Sequence, residues 1–329
     1  MRPRIFVTQP IAESALERLR AVADVSVNPD ASRILPKGKL VSALRRHDLL
    51  FSLLHDKVDR DVLAANPKLM AVASMCVTPD PIDIAEATRR GIPVTVIPPV
   101  VHEATADIVF GLILAVARRI LEGDRLLRAG RFPGSQSNFL AGACVYGKTL
   151  GLVGGKGRIG QATARRARGF GMRILYSGPR PLPEADEAAL GMKFVPFEDL
   201  LGEADFVSLH PPLNGQTRHM MNDGTLAMMR PDAFLINTAR GPIVEEAALI
   251  RALKAKKIAG AGLDVHEHEP KVALALRKMP NVVLTPHLGS AVRELRERMA
   301  HFVVDNVIAL IEGKPPPNCV NPQVLKARS

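Results

Sequence analysis

A chain of 329 residues is longer than one ordinary hydrophobic core serves, so two domains are expected. Its 47% hydrophobic and 23% charged residues are those of a soluble globular protein, which excludes disordered, fibrous and disulfide-scaffold classes. The net charge of +11 raises nucleic acid as a partner, but bases and acids are interspersed and aromatics are only 4%, so we read instead a surface that draws small carboxylates and nucleotide phosphates.

Along the chain, apolar runs that read as strands alternate with stretches at helical spacing, the pattern of a parallel α/β protein. Arg4 to Thr8 reads as a strand and Ile11 to Ala23 as a helix with Leu16, Leu19 and Val22 on one face. Leu49 to Leu54 and Leu69 to Met75 are further buried strands. Asp80 to Arg90 is a helix closed by Gly91, and Pro93 to Ile97 a strand. The pair Pro98-Pro99 breaks regular structure and marks a domain crossing. Glu103 to Arg119 follows as a helix so apolar at its centre that it belongs in a core or at a subunit interface. After an irregular stretch from Gly130 to Gly147, a second α/β run extends to about Gly289, and Ala291 to Glu312 is an amphipathic helix returning to the first domain. The expected division is residues 1–98 with 290–329 as a discontinuous substrate domain, and 99–289 as a dinucleotide-binding domain. The fold class is α/β: two Rossmann-like or flavodoxin-like parallel-sheet domains with a cleft between them.

The longest apolar stretch, Ile108 to Ala117, is far short of the ~20 residues that span a bilayer, and no signal-peptide pattern opens the chain. Cys76, Cys144 and Cys319 are dispersed and odd in number, giving neither a disulfide framework nor a metal set. Neither do His102, His210, His219, His266, His268 and His301. A cytoplasmic protein without a membrane, metal or nucleic-acid partner is expected.

Residues 149 to 178 carry the strongest signal. A strand ending at Val153 meets Gly154-Gly155-Lys156-Gly157-Arg158-Ile159-Gly160, then a helix from Ile159 to Phe170 and a strand from Met172 to Ser177. Gly155, Gly157 and Gly160 match G-x-G-x-x-G between strand and helix. The first glycine is expected to make the tight turn, the second to admit the pyrophosphate, and the third to let helix pack on strand. Arg158, Ile159 and Gly160 would present helix N-terminal N–H groups to that phosphate. NAD sites place an acid about 20 residues further on, for the ribose 2′-OH. Here Tyr176-Ser177-Gly178-Pro179-Arg180 offers none before Glu184. Without that carboxylate a 2′-phosphate is admitted, and Arg180 can hold it, beside Ser177. Arg180 is otherwise a solvated turn residue. NADP is the expected cofactor, with NAD also admitted.

Four later strands run into chemically loaded residues. Asp205 to Leu209 meets His210-Pro211-Pro212, and Ala233 to Ala239 meets Arg240-Gly241. Ile258 to Val265 carries Asp264 and leads to Glu269-Pro270, and Val282 to Thr285 meets Pro286-His287. Ligands bind outside the carboxyl ends of strands in open parallel sheets, so one edge gathers these residues with the glycine turn. Reducing a 2-oxo acid needs a cation for carboxylate and carbonyl, which an arginine fork supplies. It also needs an acid for the forming alkoxide, which a histidine supplies when a carboxylate favours its imidazolium. Arg240, His287 and Glu269 fill these roles.

These residues resemble the D-2-hydroxyacid dehydrogenase family across nearly the whole chain. The carrying motifs run from Gly147 to Gly160, then Asn-Thr-Ala-Arg-Gly from Asn237, Gly-Leu-Asp-Val-His-Glu-His-Glu-Pro from Gly262, and Thr-Pro-His-Leu-Gly-Ser from Thr285. The resemblance implies Arg240, Glu269 and His287 as catalytic residues, with Asp264 near the nicotinamide carboxamide. It also implies cofactor contacts from Pro211, Thr217, Thr238, Ala239 and Gly289, and substrate contacts from Val77 and Thr78 as well as Arg240 and His287. The Tyr176 to Pro181 segment is similar to the NADP-preferring glyoxylate/hydroxypyruvate reductase branch, which implies a small 2-oxo acid substrate. The family also implies a homodimer through the cofactor domain, suiting the helix Glu103 to Arg119.

The chain departs from the family in three places. The glycine turn is one residue longer, with Lys156 inside it. The loop that grips the substrate carboxylate reads Cys76-Val77-Thr78-Pro79-Asp80, where Pro79 lacks an N–H. Gly134 to Asn138 lacks the tryptophan often found in that branch, and the chain has none. The altered loop keeps open a related enzyme for phosphite or 2-ketogluconate. The shared fold keeps open a nucleotide-sensing corepressor-like scaffold, against which the acid/base pair argues.

Overall fold

The computed structural model describes residues 2–325, so Met1 and the last four residues, assigned above to the discontinuous domain, lie outside it. Its contacts divide the chain after Val100 and again after Ala291.

The first unit opens with β1 (Arg4–Val7), α1 (Glu13–Val22), β2 (Asp24–Val27) and α2 (Lys37–Leu44). It continues with β3 (Leu49–Ser52), α3 (Arg60–Leu63), β4 (Ala71–Ser74), α4 (Ile84–Arg89) and β5 (Val94–Thr95). The strands pair in parallel in the order β2-β1-β3-β4-β5, the flavodoxin-like arrangement. Every residue of β3 and β4 is buried, as a strand covered on both faces requires. The edge strand β2 is only half buried and too polar to stand out in the sequence. Helix α4 starts later than expected, because the Asp83 carboxylate accepts the Glu86 N–H at 2.9 Å and sets its first turn there.

The second unit begins with α5 (His102–Ala117) and α6 (Ile120–Arg128). Next come β6 (Thr149–Val153), α7 (Arg158–Gly169), β7 (Arg173–Ser177), α8 (Glu184–Leu190), β8 (Met192–Phe194) and α9 (Phe197–Glu203). Then follow β9 (Phe206–Leu209), α10 (Asp223–Met228), β10 (Phe234–Asn237), α11 (Glu246–Lys254), β11 (Gly260–Leu263), α12 (Leu274–Lys278) and β12 (Val282–Leu284). The seven strands are parallel in the order β12-β11-β10-β9-β6-β7-β8. The order therefore reverses at the β6–β9 neighbours, the switch point beside which such sheets take their ligands.

Helix α5 buries Val109, Phe110, Leu112, Ile113 and Val116 within this unit, against β10, β11 and α7. Its apolar centre is thus core, not a face left for a second subunit. The expected single helix ends where Arg119 takes φ 54°, and α6 beyond it buries no residue. The last helix, α13 (Arg293–Ile311), packs on α1 and β4 of the first unit. Arg18 and Asp305 pair there at 2.8 Å, and the buried Asn306 side chain donates to the Val96 carbonyl at 2.9 Å.

Candidate active site

Register decides which residues of the second unit meet. Across the sheet Ser177 pairs with Val153, Val153 with Leu209, Leu209 with Asn237, Asn237 with Leu263 and Leu263 with Leu284. The next residue of each chain leaves the sheet at the same edge: Gly178, Gly154, His210, Thr238, Asp264 and Thr285. One row therefore carries the glycine turn at one end and the polar residues at the other.

The turn differs in detail from expectation. Gly154, not Gly155, takes the left-handed conformation at φ 77°, and a Cβ there would lie 2.8 Å from the Pro211 nitrogen. The extra residue shifts the tight turn one position earlier. Gly155 is instead packed flat, since a Cβ would sit 2.6 Å from that of Tyr176. Gly160 lets α7 close on the turn, its missing Cβ falling 2.5 Å from the Gly155 carbonyl. At Gly157 a Cβ would approach only the Gly154 carbonyl, at 3.3 Å, so the protein itself demands little there. Gly157 is extended, with φ −66° and ψ 161°, and no side chain caps α7. The N–H groups of Arg158, Ile159 and Gly160 are thus left for an anion.

Beside the turn, Ser177 is buried at the end of β7. The following loop is held by Tyr176, whose hydroxyl accepts the Leu182 N–H at 2.6 Å and donates to Glu187 at 2.5 Å. Burial, reinforced by Glu187, pushes Tyr176 up to about 12, so it remains a neutral phenol. Arg180 is exposed and makes no hydrogen bond or ion pair among the described residues.

At the other end of the row, Asn237 ties the backbone of Arg240, its amide donating to the Arg240 carbonyl at 3.0 Å. The Arg240 guanidinium donates to the Ala239 carbonyl at 2.7 Å, which orients its fork. Gly241 is required there, because a Cβ would collide with the His266 carbonyl at 1.9 Å. That close approach brings the 265–269 loop against Arg240. Glu269 spends one carboxylate oxygen on the His266 N–H at 2.9 Å and the other on His287 Nδ1 at 3.1 Å.

Asp264 organises the segment carrying that histidine. Its carboxylate is fully buried and accepts from the Thr285 hydroxyl at 2.6 Å, the Leu288 N–H at 2.7 Å and the Gly289 N–H at 2.9 Å. The His287 N–H donates to the Asp264 carbonyl at 2.8 Å. These four bonds hold His287 at φ 56°, a conformation rare outside glycine.

The other expected cofactor residues differ in kind. Pro211 packs against Gly154, while the Thr217 hydroxyl is spent in its own turn on the Pro212 carbonyl at 2.6 Å. Thr238 has a buried hydroxyl with no partner among the described residues, as a group awaiting a ligand would. The glycine turn, the uncapped helix and this hydroxyl together fit a dinucleotide. His210, placed by the sequence at a strand end, has no role assigned to it there. Both its ring nitrogens are buried without a partner among the described residues, and burial lowers it to about 3. Only its place immediately after a buried strand signalled it.

Val77 and Thr78 lie in the first unit, after β4. The Thr78 hydroxyl donates to Asp80 at 2.9 Å, and the Cys76 carbonyl accepts the Ile97 N–H at 3.0 Å. Arg296 on α13 is a half-buried cation beside Cys76, held below its ordinary value by burial. Its position within an amphipathic helix gave no sign of that.

A family model described as "D-isomer specific 2-hydroxyacid dehydrogenase, NAD binding domain" matches residues 110–289. The chain is similar to the glyoxylate reductase of Thermococcus litoralis, at 47% identity over 99% of this chain and 98% of that protein. It is similar to a solved protein of Thermus thermophilus, with TM-score 0.88 and 42% identity over 96% and 99% of the two chains. It is also similar to the NADPH-dependent glyoxylate/hydroxypyruvate reductase of Sinorhizobium meliloti, solved with NADP and malonate. The TM-score there is 0.80, with 34% identity over 98% of each chain.

Proposed function

We propose a function from the premise that the chain belongs to the D-isomer specific 2-hydroxyacid dehydrogenase family. It is an NAD(P)H-dependent oxidoreductase that reduces glyoxylate-like 2-oxo acids. We assign it NADPH as the preferred donor, glyoxylate or hydroxypyruvate as substrate and the D-2-hydroxy acid as product. The observation that carries the chemical assignment is the His287–Glu269 contact at 3.1 Å, on the edge that holds Arg240.

The nicotinamide, when bound, supplies the hydride. The Arg240 guanidinium takes the substrate carboxylate and polarises the carbonyl to be reduced. Glu269 accepts the Nδ1 proton of His287, so Nε2 is the nitrogen that delivers a proton to the forming alkoxide. Asp264 acts mainly by holding the His287 turn, since its carboxylate already accepts three internal bonds. Gly157, Arg158, Ile159 and Gly160 take the pyrophosphate, Thr238 and Ala239 lie along the cofactor, and Ser177 and Arg180 take the 2′-phosphate. In the first unit, the amides of Val77 and Thr78 are assigned to the substrate carboxylate.

We assign a homodimer through the second unit. Its support is the exposure of four large apolar side chains on and after α6: Ile120, Leu127, Phe132 and Tyr146, the last 74% exposed. No helix among the described residues is long and apolar enough to cross a membrane. Three cysteines without disulfides suit a reducing cytoplasm, which is the compartment we assign.

The test is NADPH oxidation, followed by absorbance, against glyoxylate, hydroxypyruvate, pyruvate and 2-ketogluconate, with NADH in parallel. Turnover of glyoxylate or hydroxypyruvate, faster with NADPH at low cofactor, is expected. NADPH binding without turnover of any 2-oxo acid would overturn the assignment.

A further inference from the structure

The glycine turn is one residue longer than in the family it resembles, and it carries a lysine. Lys156 stands between Gly155 and Gly157 and is exposed. Its ammonium donates to the Pro181 carbonyl at 3.2 Å, which places it on the loop after β7, one residue from Arg180. That loop is not loose. Tyr176 grips its far end through Leu182 and is itself held by Glu187, while buried Ser177 anchors its start.

Two cations are therefore gathered on one short loop. Among the described residues neither Lys156 nor Arg180 pairs with an acid. The first acids after the loop, Glu184 and Asp186, are exposed and pair with neither cation among the described residues, and Glu187 is engaged by Tyr176. An exposed ammonium bonded at Pro181 and an exposed guanidinium borne one residue earlier offer an anion two cationic partners. The row of strand ends calls for a dinucleotide here, and a phosphate monoester with about two negative charges near neutrality suits a pair of cations. The Pro181 carbonyl takes only one of three ammonium protons, leaving two for phosphate oxygens.

We propose that Lys156 is a second determinant of cofactor specificity, acting with Arg180 on the 2′-phosphate of NADP. This rests on the NADPH reading given above. On this account the lysine inside the longer turn joins it to the loop after β7.

The test is calorimetric titration of the full-length protein with 2′,5′-ADP and with 5′-AMP, which differ only in the 2′-phosphate. The variants are Lys156→Ala, Lys156→Arg and Arg180→Ala. Lys156→Ala should weaken 2′,5′-ADP about tenfold and leave 5′-AMP within about twofold, while Lys156→Arg keeps most of the affinity. The salt dependence of 2′,5′-ADP binding should also flatten in Lys156→Ala. Equal loss for both ligands would reduce Lys156 to a staple on Pro181 and overturn the proposal. So would an unchanged 2′,5′-ADP affinity in Lys156→Ala alongside a loss in Arg180→Ala, with the NADPH reading left standing. A wild-type protein that binds 5′-AMP as tightly as 2′,5′-ADP would remove the NADPH reading itself.

Discussion

At the ends of β6 and β7 the chain is shaped by what its residues lack: side chains at four glycines, and a carboxylate after Ser177. At the ends of β10, β11 and β12 it is shaped by carboxylates already at work, Asp264 holding a turn and Glu269 holding a histidine. The first half presents unused backbone and cations to an anion. The second presents side chains whose orientation is set before any substrate arrives, as electrostatic preorganisation requires. On the proposed assignment the same edge separates recognition from chemistry, and the two halves should fail differently when altered.

His210 sits at the seam, its backbone against Gly154 and its ring nitrogens buried without partners among the described residues. Its folded value of about 3 lies below the ordinary 6.5. The unfolded chain therefore binds a proton there that the folded chain refuses. This stability is fully present above about pH 6.5 and is lost as pH falls toward 3, to a total on the order of 5 kcal/mol. Urea melts between pH 7 and 4 should show that loss, and His210→Gln should flatten it. A slope unchanged by the substitution would place the acid sensitivity elsewhere.

Within the glycine turn the comparison can be sharpened. Gly160→Ala forces a Cβ to within 2.6 Å of the Gly155 Cα and should cost about 1–3 kcal/mol, seen as a lower Tm without any cofactor. Gly157→Ala meets only one carbonyl at 3.3 Å, so Tm should hold while cofactor affinity falls. Equal Tm losses would mean that both glycines serve packing alone. Arg180→Ala should have the smallest effect, an about tenfold rise in KM for NADPH with KM for NADH nearly constant. A parallel rise in both would make Arg180 a structural residue of its loop.

Much of this edge was legible in the sequence because it rests on local patterns. A glycine-rich turn between strand and helix, and apolar runs ending in Arg240, Asp264 and His287, place residues on one edge through topology alone. What stayed hidden depends on distance or on one dihedral. The tight turn at Gly154 lies against Pro211, far along the chain just after β9, which no local pattern shows. The bonds from Asp264 span 21 to 25 residues and no spacing rule anticipates them. Helix α6 was missed because Arg119 turns left-handed between two helical stretches, and β2 because an edge strand with polar alternation looks like loop.

The central claim is that the two halves act separately, and His287→Ala tests it most directly. Calorimetric NADPH affinity and kcat for glyoxylate should be measured on the same preparation. The account predicts a loss in kcat of about 100-fold or more, with NADPH affinity within about threefold of wild type. Retained turnover would contradict the role of His287, and a matching loss of NADPH binding would show that the two halves of the edge are one structural unit.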